Sequence, residues 1–503
     1  MISVFLQRLV LSFALICLAG SAVAQDDIRL PDMGSPADAV LSKNDEARLG
    51  RAIMAQIRRS RDIVEDPIVT EYINNVGNRI AAHANNGDHE FTFFVVDDPS
   101  INAFALPGGY IGVHTGLLQA TRNEDELAGV LGHEIAHVTQ RHIARAIHSA
   151  QRQGIVSSAL MLATILAGVA GADSDVVQAG MAVSQGSAVQ QRINFTRSNE
   201  HEADRIGINA LADAGFDPYG MASFFEVMSR LQPADMRMRA PEFLRTHPVT
   251  TDRIAEARTR AQTFPRINSE DSPSYGIARA RTKVNSFERA EQAIEFYEAQ
   301  DYLRQTDIQR YGRAVAYQRD DRHRDALRIF EDLIETDKTI IAYHIGMADS
   351  LLALERYDAG TEAFENAVAL FPRNVPLVIA YGEWLIRLDR ADDAHAILLD
   401  LLNNVPPTPE QVRLIARAAN EAGEQAESLY YMSEYRLMRG DLPGGISMLR
   451  RALALPQLKE IQRIRFEARI DFIREFMTEE QLKQLQRSRQ SRGIAASAAE
   501  SMG

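Results

Sequence analysis

The sequence predicts a mainly α-helical protein in two parts, an α+β domain followed by an α-solenoid. Three observations support this prediction. A His-Glu-x-x-His motif at 133–137 lies in an amphipathic segment, β-branched and aromatic residues are enriched at 91–113, and apolar positions recur every 34 residues after about 314. At 503 residues the chain is too long for one ordinary core, so two or three domains are expected.

Composition describes a globular protein and argues against two kinds of partner. Hydrophobic residues make up 46% of the chain and charged residues 24%, which are ordinary values for a folded protein. The formal net charge of −13 argues against nucleic acid, because nucleic-acid binding needs a basic surface. It also argues against a polybasic contact with a membrane.

The first 24 residues are predicted to be a signal peptide. Arg8 supplies the positive charge, 9–20 is apolar, and small residues precede the expected cleavage site after Ala24. The apolar stretch is short for a bilayer span, so cleavage and export are expected rather than anchoring. Cys17 is the one cysteine of the chain and would be removed. The mature protein would then have no disulfide, no thiolate metal site and no cysteine nucleophile.

The central motif is predicted to bind one zinc ion. His133 and His137 are four residues apart, so on a helix they project from the same face. Two neutral imidazoles at this spacing can bind zinc, and the adjacent Glu134 can act as the general base. A catalytic zinc ion also needs a third protein ligand and an open position for water.

Residues around the motif favour a helix. Asn123 is the expected N-cap, and the acidic residues 124–126 suit the positive end of the helix dipole. Arg141 and Arg145 are expected towards its C-terminal end. The motif therefore stands on a capped amphipathic helix rather than in a loop.

Helical and then strand-forming segments precede the motif helix. Helical spacing of apolar residues extends over 38–83, and 91–96 is typical of a strand. Two further short strands are predicted at 102–106 and 110–113, around the turn-forming residues 107–109. An edge strand beside the motif helix could pair with an extended substrate; an ordinary hairpin packed on the helix is the alternative.

The segment 155–189 is rich in alanine, glycine and serine. Helices or a lid packed over the site are the favoured interpretation. Peripheral contact with the membrane through this segment is the alternative, because the apolar run is of marginal length for a span.

A second helix is predicted to begin at a cap at 198–199. Glu200 and Asp204 are four residues apart and share one face of it. One of these acids could bind zinc while the other orients a ligand imidazole. His201 and Glu202 are expected to face solvent.

The two motifs together resemble the zinc peptidases related to HtpX and the CAAX prenyl protease. In those proteins the first Glu of the Glu-x-x-Ala-Asp pattern is the third zinc ligand. The resemblance implies a zincin-like domain of the gluzincin type with one zinc ion per chain, held by His133, His137 and Glu200. It also implies that Glu134 is the base and that Asp204 is a supporting acid.

A further feature of the resemblance is a His-Pro pair followed by an arginine. These residues are His247, Pro248 and Arg253 here. The resemblance implies that His247 and Arg253 face the zinc ion, and that they gate it or stabilise the transition state. His247 as a fourth zinc ligand would displace water and keep the peptidase latent.

A different peptidase pattern, that of the metzincins, does not fit. It needs Gly at 140 and His at 143, where Gln140 and Ile143 stand. His142 is therefore not a third zinc ligand by that route.

The second part of the chain is predicted to be a tetratricopeptide solenoid. The signature positions recur at a 34-residue interval in three units. They are Ala314, Tyr317, Ala326 and Phe330, then Ala348, Leu351, Gly360 and Phe364, then Gly382, Leu385, Ala394 and Leu398. A later unit at 445–456 is out of register, so an inserted helix or a degenerate repeat is expected at 408–437. An unrelated helical bundle is the alternative.

These patterns divide the chain into five segments. They are a signal peptide at 1–24, a zinc metallopeptidase domain at 25–264, a linker at 265–283, the repeats at 284–480 and a flexible tail at 481–503.

An exported zinc peptidase followed by such repeats resembles a class of Gram-negative periplasmic protease. The resemblance implies degradation of misfolded or stalled outer-membrane proteins, together with chaperone-like help in their assembly. Its implied partners are outer-membrane β-barrel proteins, their assembly machinery and unfolded substrates recruited through the repeats. The resemblance also allows the protein to associate with the outer membrane. The alternative is a non-proteolytic chaperone with a latent or structural zinc site. Glu134 argues against that alternative, because a structural site needs no base.

Overall fold

The computed structural model describes residues 41–60, 63–84, 89–152, 186–231, 241–267, 270–299, 305–477 and 482. The predicted signal peptide, most of the predicted lid and nearly all of the predicted tail lie outside these residues. Helices dominate both parts of the described chain, as the sequence predicts.

The first part combines helices with one small sheet. The single helical segment expected at 38–83 is two helices, because Pro67 begins the second. The elements described in this part are α1 (Lys43–Ser60), α2 (Pro67–Ala84), β1 (Thr92–Val96), β2 (Ala103–Ala105), β3 (Tyr110–His114), α3 (Thr115–Ala120), α4 (Glu124–Thr139), α5 (His142–Arg152), α6 (Gly186–Asp213), α7 (Tyr219–Arg230), α8 (Glu242–Thr246) and α9 (Thr251–Ala261).

The three strands form one sheet in the order β1-β3-β2. β1 is parallel to the central strand β3, and β2 pairs with β3 as an antiparallel hairpin. All three predicted strands are therefore confirmed. The hairpin turn requires glycine at 109, where φ is +83° and a Cβ atom would lie 1.9 Å from the carbonyl oxygen of Glu90.

The motif helix α4 begins as predicted and ends earlier than expected. The Asn123 side chain caps it by accepting a hydrogen bond from the amide of Glu126. The helix ends at Thr139, so the prediction that Arg141 and Arg145 lie in it was wrong. Arg141 has a φ of +51°, a left-handed conformation that ends α4 and redirects the chain into α5.

The helix that contains Glu200 is longer than the sequence suggested. α6 begins at Gly186, so residues 198–199 lie within it and do not cap it. The helix ends at Asp213, and Gly215, with a φ of +77°, adopts the left-handed conformation typical of the residue that terminates a helix. α6 packs against α4 where Gly207 meets Gly132, and α7 meets α4 at Gly129. The absence of side chains at these contacts lets the two motif-bearing helices approach closely.

The second part is a solenoid of helical pairs, and the prediction of tetratricopeptide repeats is confirmed. The described helices are α10 (Pro273–Asn285), α11 (Ala290–Glu298), α12 (Asp307–Arg319), α13 (His323–Thr336), α14 (Ile341–Ala353), α15 (Tyr357–Leu370), α16 (Val375–Arg387), α17 (Ala391–Asn404), α18 (Pro409–Glu421), α19 (Gln425–Met438), α20 (Leu442–Leu453) and α21 (Glu460–Glu475). The first helices of successive pairs, from α10 to α18, begin every 34 residues.

The region 408–437 forms a regular pair, α18 and α19, in register with the preceding units. The prediction of a degenerate repeat at 408–437 is therefore confirmed, and the prediction of an inserted helix is wrong. Ala419 stands where the earlier units have tyrosine or leucine, and Met432 stands where they have phenylalanine or leucine, which conceals the repeat in the sequence.

The segment expected to be a linker is largely helical. α10 contributes Tyr275 and Ala278 to the core of the first part, while Ile277 packs in the core of the repeats. Polar contacts add to this junction: Arg281 of α10 pairs with Asp66, next to the start of α2. The two parts therefore share α10 and are not joined by an extended chain. None of the helices in the described ranges is long and apolar enough to cross a bilayer.

The contact between α4 and α6 can be tested by adding one methyl group on each side. A Cβ atom at Gly207 would lie 2.9 Å from the backbone of Gly132, whereas one at Gly132 would lie 3.3 Å from the carbonyl oxygen of Gly207. We expect Gly207→Ala to lower the free energy of unfolding by about 1–3 kcal/mol, despite the higher helix propensity of alanine. Gly132→Ala should cost less. Urea unfolding in the presence of EDTA measures both, and an equal or greater loss for Gly132→Ala would contradict this packing.

Candidate metal centre

Four side chains, three from two helices and one from a loop, converge at one point. They are His133 and His137 of α4, Glu200 of α6 and His247, which directly follows α8. Each offers one ligand atom, and these four atoms all lie within 4.8 Å of one another. We call these four residues the ligand cluster. Among the described residues it is the one group of histidines and acids with this geometry.

The distances within the ligand cluster match side chains directed at a common centre. The Nε2 atoms of His133 and His137 are 3.0 Å apart, and each lies 3.3 Å from a different carboxylate oxygen of Glu200. His247 points its Nδ1 atom inward, 3.2 Å from His133 Nε2 and 3.0 Å from Glu200. His133 and Glu200 are almost completely buried. Nitrogen and carboxylate donors in this arrangement suit a metal ion such as zinc.

Asp204 and Arg253 lie behind the ligand cluster. Asp204 Oδ1 is 2.9 Å from His133 Nδ1, on the ring edge opposite the cluster. Arg253 donates two hydrogen bonds of 2.7 Å to Asp204, and its third nitrogen lies 3.0 Å from Glu200 and donates to the carbonyl of Pro248. The Arg253 side chain is only 2% exposed. Its guanidinium thus binds the two acids instead of reaching the open side of the cluster.

The buried charges stabilise one another. Burial alone would raise the pKa of Glu200, but the imidazoles of His247 and His133 lower it well below its usual range. Burial would likewise raise the pKa of Asp204, but hydrogen bonds from Arg253 and contact with His133 lower it. Both acids are therefore ionised at neutral pH.

The same acids attract positive charge to the centre. Burial tends to lower the pKa of His133, yet the carboxylates of Glu200 and Asp204 raise it to about 10. Burial lowers the pKa of His137, which favours the neutral ring that a metal ion requires. A site that stabilises a proton on His133 this strongly also favours a metal cation in the same place.

Glu134 lies beside the ligand cluster on the same helix. Its side chain is 1% exposed, and its Oε1 atom accepts no hydrogen bond from the described residues. That oxygen is 3.4 Å from Nε2 of His247. A buried carboxylate oxygen without a donor is available to accept a proton from a water or substrate group.

His247 is held in place by the short helix α8. Its backbone amide donates to the carbonyl of Phe243, and the two rings stack with centroids 5.0 Å apart. Phe243 is in turn fixed because its amide donates to the carbonyl of Ile101, just before β2. The position of His247 in the ligand cluster is therefore built by local packing.

Sequence reasoning missed a second group of polar residues behind His137. Nδ1 of His142 lies 2.9 Å from Nδ1 of His137, and Nε2 of His142 lies 3.2 Å from Glu202. Arg145 donates to the same Glu202 oxygen at 2.8 Å. Glu202 was expected to face solvent, and this was wrong, because its side chain is only 24% exposed. His201 makes its contact with Glu256 nearer the surface. Nothing in the motif spacing indicates that the chain folds back after Thr139, so the sequence carries no signal for this contact.

Comparisons with known proteins agree with this geometry. Residues 67–261 match the family described as peptidase family M48, and residues 351–418 match a tetratricopeptide repeat family. The beta-barrel assembly-enhancing protease of Escherichia coli is 32% identical, over 90% of this chain and 93% of its own length. The Yersinia pestis protein of the same name is also 32% identical, over 90% and 93%. A mitochondrial metalloendopeptidase OMA1 of Schizosaccharomyces pombe is 34% identical over 37% of this chain and 51% of its own.

The fold and the site define a family M48 metallopeptidase that carries tetratricopeptide repeats, and hence an enzyme that uses a metal ion. The similarity to the bacterial relatives continues through both parts of the chain at about a third of all positions. The chain belongs to the family of the β-barrel assembly-enhancing proteases.

Proposed function

We propose that this protein is a zinc-dependent endopeptidase of the periplasm that degrades misfolded or stalled outer-membrane proteins and assists their assembly. The observation that supports the chemistry best is the convergence of His133, His137 and Glu200 beside the buried carboxylate of Glu134. The names of the full-length relatives support the substrate class, and the predicted signal peptide at 1–24 supports the location.

His133, His137 and Glu200 would hold the zinc ion. Bound there, zinc would polarise the scissile carbonyl group and lower the pKa of a water molecule. Glu134 accepts the proton of the attacking water and passes it to the leaving amine. Asp204 contacts His133 Nδ1 and so presents Nε2 to the cluster.

Arg253 has a positioning role in this proposal. Its guanidinium contacts both Glu200 and Asp204, and its nitrogens are occupied by those acids and by the carbonyl of Pro248. We therefore assign it to holding the two acids in place, and not to stabilising the oxyanion. His247 remains the candidate for either gating or oxyanion stabilisation.

The edge strand β2 offers a place for an extended substrate. In the antiparallel pair with β3, Asn102 and Leu106 are bonded to His114 and Tyr110. Because bonded and non-bonded pairs alternate, the backbone groups of 103 and 105 point away from β3. α4 contacts β2, so a peptide paired with this edge would lie near the motif helix.

Replacing Glu200 by Gln tests the proposed ligand set. The amide has the same shape but no charge, so zinc binding should weaken by more than the roughly 10–100-fold that outer partners contribute. Casein cleavage should be abolished together with zinc binding. Asp213→Asn is the matched control, because Asp213 lies exposed on the same helix. A Glu200→Gln protein with full zinc content and activity would remove Glu200 from the site.

His247 is proposed to gate the zinc ion. Its Nδ1 atom would serve as a fourth ligand of the zinc ion, and its Nε2 atom faces Glu134, so His247 would take the place of the attacking water. The same geometry favours the second candidate function, a chaperone with a closed structural zinc site, because structural zinc has four protein ligands. The two functions differ in whether any state of the protein cleaves peptides.

The gate predicts that His247→Ala raises casein cleavage and produces self-cleavage, since the site is then always open. If His247 instead stabilises the oxyanion, the same change lowers turnover by about 10²-fold or more. His201→Ala is the control, because His201 contacts Glu256 outside the ligand cluster. Cleavage below wild type in a folded, zinc-loaded His247→Ala protein would contradict the gate. No cleavage by either protein would favour the structural site.

The repeats are proposed to recruit clients to the peptidase domain. A cleft of about 370 Å³ lies between repeat helices and the start of α2, and charged residues of both signs line it, Glu383 and Arg413 among them. Peptide segments with mixed charge and free backbone groups are suitable occupants.

Recruitment is tested with the chain 25–285, which retains Tyr275 and Ala278 of the peptidase core. We expect this chain to bind zinc like the full mature protein and to lose binding to unfolded outer-membrane proteins. Zinc content and far-ultraviolet circular dichroism serve as the folding controls. Undiminished client binding by the shorter chain would rule out recruitment through the repeats.

A further inference from the structure

His142 contacts the candidate metal ligand His137 from the side opposite the ligand cluster. The two Nδ1 atoms are 2.9 Å apart, and the rings meet edge to face with centroids 4.8 Å apart. Nε2 of His142 then lies 3.2 Å from Glu202, and Arg145 fixes Glu202 at 2.8 Å. His142 is only 3% exposed, so water does not readily compete for these contacts.

The ring nitrogens admit one consistent assignment of protons. His137 directs Nε2 at the ligand cluster, so as a neutral ligand it carries its proton on Nδ1. That N–H donates to Nδ1 of His142, which must then carry its own proton on Nε2. The Nε2 proton is donated to the carboxylate of Glu202. Every polar ring atom of His142 thus has a partner of the required kind.

We propose that His142, held by Glu202 and Arg145, is a positioning residue that fixes the tautomer and ring orientation of His137. This inference rests on the proposed zinc site and adds a part to it. His133 contacts the carboxylate of Asp204 directly, at 2.9 Å. For His137 a second imidazole stands between the ligand and its carboxylate. Outer partners of this kind raise the basicity of ligand histidines and orient them.

The fold places His142 there by means of the turn after α4. Arg141 adopts a φ of +51°, which is costly for a residue with a side chain. Its side chain is anchored to Glu46 at 3.1 Å and to the carbonyl of Leu41 at 2.6 Å, both on the N-terminal side of the domain. The turn puts His142 at the first position of α5, directed back towards His137.

Helix α6 supplies the other half of the arrangement. Glu202 lies between Glu200 and Asp204 in the sequence. Glu200 belongs to the ligand cluster, Glu202 contacts His142, and Asp204 contacts His133. One helix therefore provides a ligand and the carboxylates behind both histidines. His142 itself is not a member of the ligand cluster, because its Nδ1 atom faces the outer edge of His137.

Three substitutions in the mature full-length protein test the inference. His142→Phe keeps the ring shape but removes both nitrogens, and His142→Asn keeps an acceptor close to the position of Nδ1. Glu202→Ala leaves His142 in place without its carboxylate. The zinc dissociation constant is measured by competition with a chelator, and Co²⁺ substitution gives an absorption spectrum that reports ligand geometry. Thermal unfolding in EDTA reports stability separately.

We expect His142→Phe to weaken zinc binding by about 10–100-fold and to change the Co²⁺ spectrum. His142→Asn should restore much of the affinity and the wild-type spectrum, and Glu202→Ala should weaken binding less than His142→Phe. If His142→Phe does not fold in EDTA, Glu202→Ala decides by the same two readouts.

Two results have different meanings. If His142→Phe has the zinc affinity and Co²⁺ spectrum of the wild type, the proposed role of His142 is overturned, even if the variant melts at a lower temperature. If His142→Phe does not fold, the same result for Glu202→Ala overturns it. A wild-type protein that binds no zinc would overturn the proposed metal site itself.

Discussion

The close contact between α4 and α6 is the constraint on which the site depends. Helix α4 supplies two imidazoles and the proposed base, and α6 supplies the proposed carboxylate ligand and two more acids. These groups can share one centre only if the helices lie side by side. Gly132 and Gly207 permit this, because a Cβ atom on either residue would meet the backbone of the other helix. A second glycine contact, between Gly129 and the start of α7, fixes the motif helix about one turn earlier.

Burial of so many charges is the second requirement, and it is met by mutual pairing. Glu200 and Asp204 are both more than nine-tenths buried, which is costly for a carboxylate unless positive groups compensate. Arg253 provides a permanent cation against both acids, and the imidazoles and the proposed metal ion would provide the rest. Removing any one of these groups leaves a buried charge without its partner, so the site is stable only as a whole.

Local patterns in the sequence predicted most of the features that depend on residues close together in the chain. The spacing of His133 and His137, the cap at Asn123 and the hairpin all depend on residues close in the chain, and each is found where it was expected. The place of Glu200 came from a family resemblance, since spacing alone left Glu200 and Asp204 open for either role. His142 could not be predicted, because its contact with His137 depends on the left-handed turn at Arg141 and on a distant anchor at Glu46.

The prediction of a linker at 265–283 was wrong for a related reason. Polar composition at 265–273 suggested an extended connection, but α10 follows at once and buries Tyr275 in the peptidase core. Amphipathic helices of a solenoid do not reveal from sequence which neighbour covers them. The fourth repeat was similarly concealed, because its fold is retained while the signature side chains at 419 and 432 have changed.

The most direct test of the central claim is X-ray absorption at the zinc edge of the purified mature protein, combined with its metal content. The account predicts one zinc ion per chain with four nitrogen or oxygen neighbours at about 2.0–2.1 Å, and the scattering pattern of imidazole rings among them. Substoichiometric zinc, or a shell of oxygen atoms without imidazole scattering, would contradict a zinc centre built by His133, His137 and Glu200.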